Sequence, residues 1–514
     1  MNLVRGCLGL VLLLSVAEAA PNRGTATHGH PFGDGMCGTP TAEQQSRAGR
    51  TGLRHAAAPS KIIFLDRCAD GCTFTGATDH DAINDKTAIS GTMPGQVYAF
   101  PPFTNFAGES GAAADAQWNQ VVECARKVYS YYDTVVTDVR PTSGTYHRAV
   151  VSGFSHDFLP EHGQNGLLGI SDVDFQFGCA PIHNMSSFTF AESHKPFAFN
   201  AERYVKNLCW TVTHEVGHSF GLEHEFEYVD ATSACSDPMS YDTGSCDPPV
   251  RFFRNKPAKC GGFELTPCSC GGGVANSHPR LTNVFGSATV PPSILPPIAR
   301  VVTPGADDQV GPIISTEAGH ERGIERVDLF INGFLWATMP GARFTTNGGQ
   351  PNPSSYHFQV PDRVPDSVVD IQIKAYDDLG ELVESPVVTA VKGAPCADAS
   401  TCATGQRCEE GRCFWDPPVG EIGDECTYSE FCLSGKCSNE SLTADVSICT
   451  TQFIAGTADA CPNGLECIET GNGGVCYLAS EGGCCSASTS TPWGPLVMGL
   501  FVVGYVLRRR RAVA

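Results

Sequence analysis

Cysteine placement constrains this chain more than any other feature. Its 25 cysteines lie in blocks along 514 residues: Cys7 near the start, 11 from Cys37 to Cys270, none from 271 to 395, and 13 from Cys396 to Cys485. In a reducing compartment so many thiols would need metals or redox chemistry to account for them, whereas an oxidising one pairs them as disulfides. The N-terminus agrees: Arg5, an apolar run from Leu8 to Leu14 and Ala17-Glu18-Ala19 have the layout of a secretory signal, with cleavage expected after Ala19 or Ala20. The run is too short for a membrane span, which takes about 20 residues. At roughly 150 residues per domain, the length predicts about three domains.

A net charge of −21, with no basic stretch before the last few residues, excludes partners held by phosphate neutralisation, so no nucleic acid is expected. With 41% hydrophobic and 17% charged residues, and with 55 Gly and 35 Pro, the chain reads as globular and rich in turns. The cysteine blocks then divide it. Residues 1–20 are the signal, 21–60 a propeptide, 61–290 the first folded region, and 291–297 (Pro291-Pro292-Ser293-Ile294-Leu295-Pro296-Pro297) a stiff linker.

Within 298–393 apolar residues alternate, as in Tyr356, Phe358, Val360 and in Val369, Ile371, Ile373, Ala375, which predicts strands with one buried face. Asn332-Gly333 between two such runs predicts a tight hairpin. Short strands without helical periodicity suggest an all-β sandwich, and the stretch resembles the bacterial immunoglobulin-like modules appended to secreted enzymes. In 394–485 three groups of cysteines open with C-x5-C, at Cys396, Cys426 and Cys461. Zinc knuckles are one reading of such groups, but histidines do not cluster with them, so small disulfide-stapled repeats are expected.

The sharpest motif lies in the first region. His214-Glu215-Val216-Gly217-His218-Ser219-Phe220-Gly221-Leu222-Glu223-His224 matches H-E-x-x-H-x-x-G-x-x-H at every fixed position. Asn200 can cap a helix whose apolar residues Tyr204, Leu208 and Val212 recur every four positions, so His214 and His218 project from one face toward one ion. Gly221 lets the chain leave the helix in a left-handed conformation and bring His224 back as third ligand. Three neutral imidazoles leave a coordination position open, as a catalytic zinc site requires, and Glu215 is placed to take a proton from water there.

On these residues the chain resembles the metzincin clan of zinc peptidases, whose second mark is a methionine turn. Met239, in Asp237-Pro238-Met239-Ser240-Tyr241, is its counterpart here. Tyr241 stands where astacins and serralysins carry a tyrosine that assists the oxyanion, and Glu225 after His224 is also astacin-like. The short path from His224 to Met239 is closer to the adamalysin layout, so the clan is assigned without a family. The resemblance covers roughly residues 60–285. It implies an α/β catalytic domain, with the clan's first long helix at Trp118 to Tyr132 and strands at Arg148–Val151 and Leu167–Ile170. Ser187–Phe190 would be an edge strand that pairs with an extended substrate, and no clear C-terminal helix follows Met239.

The implied activity is that of a zinc metalloendopeptidase acting on protein or peptide. A surface adhesin with an incidental zinc site is the competing reading, as is a zinc hydrolase limited to short or cell-wall peptides. Other histidines, such as His147 and His183, read as structural, and Asn184 and Asn439 head glycosylation sequons. Cys37, in Met36-Cys37-Gly38-Thr39-Pro40, resembles the cysteine switch of metzincin propeptides; an ordinary bridge to another region is its plainer reading. Arg47, Arg50 and Arg54 offer sites for releasing it.

At the other end, Trp493 to Leu507 is only 15 residues, about 22 Å as a helix against a bilayer core of roughly 30 Å, and Arg508 to Arg511 follow it. The arginines disfavour a GPI signal. Segment 486–514 resembles the C-terminal sorting signals of myxobacterial surface proteins. That resemblance implies anchoring to a membrane or cell surface through Cys484 or Cys485 and removal of the arginines. The repeat spacing assigns Cys484 to the third four-cysteine group and leaves Cys485 for the anchor. An exported enzyme at the cell surface or outer membrane, or released from it, is the resulting expectation.

Overall fold

His147–Val151 is buried at every position, as a parallel strand covered on both faces must be. In the computed structural model it is the centre of a five-stranded sheet. The structure describes residues 59–478 apart from 160–166, 176–177, 291, 293, 342–352, 361, 363, 381, 439–445, 455–464 and 471–472. The signal run, Cys37, Arg47, Arg50, Arg54, Asn439, Cys484, Cys485 and the C-terminal arginines lie outside the described residues.

The first region contains β1 (Ile62–Asp66), β2 (Cys72–Gly76), β3 (Lys86–Thr87), β4 (Val97–Phe100), β5 (Val135–Thr137), β6 (His147–Val151), β7 (Gly169–Ile170), β8 (Ser186–Thr189), β9 (Glu225–Tyr228) and β10 (Ala258–Cys260). Its main helices are α1 (Asp115–Tyr129), α2 (Ala201–Ser219) and α3 (Ser277–Phe285). The central sheet runs β5-β1-β6-β8-β7, parallel except for β7. Period-two alternation gives each strand two apolar faces. Ile63, Leu65, Ala149 and Val151 meet Trp118 and Val121 of α1 and Leu208, Val212 and Val216 of α2. Val150 and Phe188 meet Phe74, Tyr98 and Phe100 of the small β3-β2-β4 sheet on the opposite face.

Two expectations need correction. Ser187–Phe190 is not the edge: β8 lies inside the sheet, and the two-residue strand β7 covers it by antiparallel pairing. The strand expected at Leu167–Ile170 is there as β7, but its position outside β8 is set by tertiary contact and not by any local pattern. A helix does follow Met239: α3 turns Leu281 and Phe285 into the core, with Pro279 in its first turn, where proline is tolerated.

Beyond the linker, β11 (Ile298–Thr303), β12 (Ile313–Gly319) and β15 (Ser354–Gln359) form one antiparallel sheet. β13 (Arg326–Ile331), β14 (Phe334–Pro340), β16 (Val368–Tyr376), β17 (Leu382–Glu384) and β18 (Val388–Val391) form the other. The two share one apolar core and so make a sandwich. Val369, Ile371, Ile373 and Ala375 are its buried face, as their alternation predicts. Asn332 and Gly333 turn the β13–β14 hairpin with φ of 51° and 76°, the pair of positive angles a type I′ turn needs.

The chain is therefore multidomain, mostly sheet with few helices, and dense in disulfides. The ten described cysteines of the first region pair among themselves: 68–72, 124–209, 179–270, 235–246 and 260–268. Cys124–Cys209 staples α1 to α2 across 85 residues, a closure that stabilises by about 4.5 kcal/mol on chain entropy. The first two C-terminal repeats share one connectivity, first to third and second to fourth cysteine (396–408 with 402–413, 426–437 with 432–449). Among the described residues no helix is long and apolar enough to cross a membrane.

Candidate metal centre

Helix α2 builds the site. The Asn200 side chain caps its start by accepting from the Arg203 amide at 2.7 Å, and Gly221 ends it. With φ at 85°, Gly221 lets its own amide reach the His218 carbonyl at 2.9 Å and the Leu222 amide reach that of Gly217 at 3.1 Å. This pair of bonds is a Schellman motif. It also turns the Leu222 carbonyl back to accept from His218 Nδ1 at 2.8 Å and sends His224 toward the helix.

The three histidines converge. His218 Nε2 lies 2.9 Å from His214 Nε2 and 3.0 Å from His224 Nε2. A carbonyl only accepts, so His218 Nδ1 facing Leu222 O, and His214 Nδ1 facing Pro238 O at 2.8 Å, must carry the protons. In the neutral rings both Nε2 lone pairs are then free to bind a cation. Neutrality is secured by burial, which lowers all three pKa values. His214 is lowered further by His218 and His224, His224 by His218, and His218 falls to about 4. This cluster is one of the described groups able to hold a metal ion; the all-cysteine groups are committed to disulfides.

Glu215 is fully buried beside His214 and packs against β7, where a Cβ on Gly169 would lie 2.5 Å from its Oε1. Met239 is fully buried below the helix, with Sδ 2.9 Å from where a Cβ on Gly217 would stand. Tyr241 is held by ring contacts, 4.3 Å from His224, 5.5 Å from His214 and 4.9 Å from Phe263. Thus His214, His218, His224, Glu215, Met239 and Tyr241 meet in one place. Glu225 is turned away into a buried pair with Asp237, bridged by Ser277 Oγ at 2.6 and 3.3 Å. Burial and the facing carboxylate push Glu225 well above its ordinary pKa, and burial pushes Asp237 to about 6.

Sequence reading misses several supports. Trp210 Nε1 donates to Pro238 O at 2.8 Å, sharing the acceptor of His214; its place four residues earlier on α2 was the available signal. Arg251 lies 4.0 Å over Trp210 and donates to the carbonyls of Ser240 and Asp242, and nothing in its local sequence marks it. Gly169 and Gly262 leave room for Glu215 and for Tyr241.

No protein-family model matches the chain, and no curated protein matches it. Among solved structures, fibronectin(III)-like modules of Clostridium thermocellum CbhA match at 13% identity over 19% of this chain and 96% of theirs, with a TM-score of 0.14. The endo-beta-1,4-mannanase of Thermotoga petrophila matches at 12% identity over 22% of each chain, TM-score 0.14. OgpA from Akkermansia muciniphila matches at 11% identity over 67% of this chain and 96% of its own, TM-score 0.15. At such TM-scores none of the three bears on fold or function.

Proposed function

We propose that the chain is an exported zinc metalloendopeptidase of metzincin type. The observation that carries this reading is the convergence of three neutral imidazoles beside the buried carboxylate of Glu215. The donor set fits zinc, which favours nitrogen ligands and is held in hydrolytic sites by three side chains. His214, His218 and His224 would hold it, and bound zinc supplies Lewis acidity and lowers the pKa of water. Glu215 accepts the water proton and returns it to the leaving amine, while the Tyr241 hydroxyl donates to the developing oxyanion. The Pro238 carbonyl orients His214, and Met239 packs under the helix at Gly217.

A metal chelator is expected to abolish digestion of casein or gelatin, and added zinc to restore it. Digestion that continues with the metal stripped overturns the peptidase reading. Absence of digestion by the zinc-loaded, fully processed protein turns the choice toward an adhesin or a hydrolase of short peptides.

Latency belongs to the same proposal. The ten described cysteines of the first region are all paired with one another, which supports Cys37 as an unpaired thiol able to block the site. Cys37→Ala should give a precursor active before processing; an uncleaved variant as silent as the uncleaved parent removes the switch. Anchoring through Cys484 or Cys485, with loss of Arg508 to Arg511, completes the reading of a surface enzyme.

A further inference from the structure

We propose that the β-sandwich is a working part of the metal centre: through Arg322 and Asp378 it holds the segment Arg251–Asn255, which in turn fixes the turn that orients His214. The inference rests on the metal-centre reading above.

The segment is gripped from two sides. Toward the metal, the Arg254 amide donates to Asp237 Oδ2 at 2.7 Å, while Asp237 Oδ1 accepts from the Met239 amide at 2.8 Å. Pro238, between them, presents the carbonyl that takes the protons of His214 Nδ1 and Trp210 Nε1. Arg251 binds the Ser240 and Asp242 carbonyls at 2.8 and 3.0 Å, and the Phe253 ring packs against the helix position of Gly217 beside Met239. Three residues of one short segment, Arg251, Phe253 and Arg254, thus shape this turn from below.

On its other side the segment meets the sandwich. Arg322 is fully buried; it donates to the Phe253 carbonyl at 2.5 Å and to both oxygens of Asp378 at 2.6 Å. Asp378 also accepts from the Asn255 amide at 2.7 Å and pairs with Arg254 at 3.2 Å. Burial alone would raise the Asp378 pKa, but Arg322 and Arg254 hold it well below the usual carboxylate range. Lys127 of α1 adds a bridge to Glu321, next to Arg322, at 3.0 Å. A mere spacer would need only rim contacts. Here a desolvated arginine from one domain binds the main chain of the other, and removing Arg322 or Asp378 leaves an uncompensated buried charge next to the segment. Partners that orient metal-bound histidines typically matter about 10- to 100-fold in metal affinity.

The test uses the full chain, with zinc affinity from chelator competition, the visible spectrum of the cobalt-substituted protein, and kcat and KM. Asp378→Asn should weaken zinc binding about tenfold or more, alter the cobalt spectrum and lower kcat with little change in KM. Arg322→Lys keeps the charge but not the fork that spans Asp378 and Phe253, and should fall between that variant and the parent. Arg300→Ala, which breaks the exposed Arg300–Glu317 pair on the same sandwich, should leave all three unchanged. Parental zinc affinity and cobalt spectrum in folded Asp378→Asn overturn the inference, and if that variant does not fold, the same result in Arg322→Lys does so. Because metal affinity is read directly, a protein that binds zinc but cleaves no peptide defeats the peptidase reading and leaves this test intact.

Discussion

Glu215→Gln is expected to leave zinc bound and to reduce peptide cleavage to background. The substitution keeps the shape of a fully buried side chain that fits against Gly169, so the helix and the three histidines should be undisturbed. What it removes is the only chemistry asked of this residue, the capacity to take up a proton and hand it on. General acid–base groups contribute about 10²- to 10⁴-fold, and one residue here serves both proton transfers, so a loss toward the upper end is expected. Metal content by mass spectrometry and single-turnover cleavage of a peptide check the two halves separately. Cleavage at the parental rate would refute the assignment of Glu215, whatever the metal content.

Gly221→Val should unfold the metal-binding end of α2, at a cost of about 5 kcal/mol. Two effects add. A φ of 85° is strained for any residue with a Cβ, most of all a β-branched one. A Cβ here would also lie 2.0 Å from the carbonyl oxygen of Cys179, whose bond to Cys270 prevents the main chain from retreating. Denaturant unfolding with disulfides intact measures the loss, and zinc binding should fall with it, because the Schellman turn carries both His224 and the carbonyl that orients His218. A variant with parental stability would mean that the turn can be made in another conformation.

Part of this architecture was legible because it rests on local rules. The Asn200 cap, the fourfold spacing along α2 and the glycine after it specify a helix and its end without reference to the rest of the chain. The same holds for Asn332-Gly333 and for the alternation in β16. What escaped were features made by distant pairing. The strand at Leu167–Ile170 was legible, but its place outside β8 is set by pairing alone, and α3 forms in a stretch whose polar residues are poor helix signals. In the site, residues that would touch the metal or the reacting bond were readable from one motif. Arg251 and Trp210, which hold that motif in place, act through carbonyl oxygens of other segments, and Asp237 through the amides of Met239 and Arg254; such main-chain partners leave no mark in a sequence.

The interlocked bridges of the C-terminal repeats have a mechanical consequence. Pulled at its ends, an unbridged stretch from Cys396 to Cys413 would pay out about 60 Å at roughly 3.5 Å per residue. With Cys396–Cys408 closed at a Cα separation of 5.9 Å, the shortest covalent route to Cys413 crosses that bridge and follows only the few residues beyond Cys408. Cys432–Cys449 shortens the next repeat in the same way. Under tension these units cannot lengthen beyond those short covalent routes without breaking a bond, so a drag on the folded regions ahead of them is transmitted over a limited reach, as through the links of a chain.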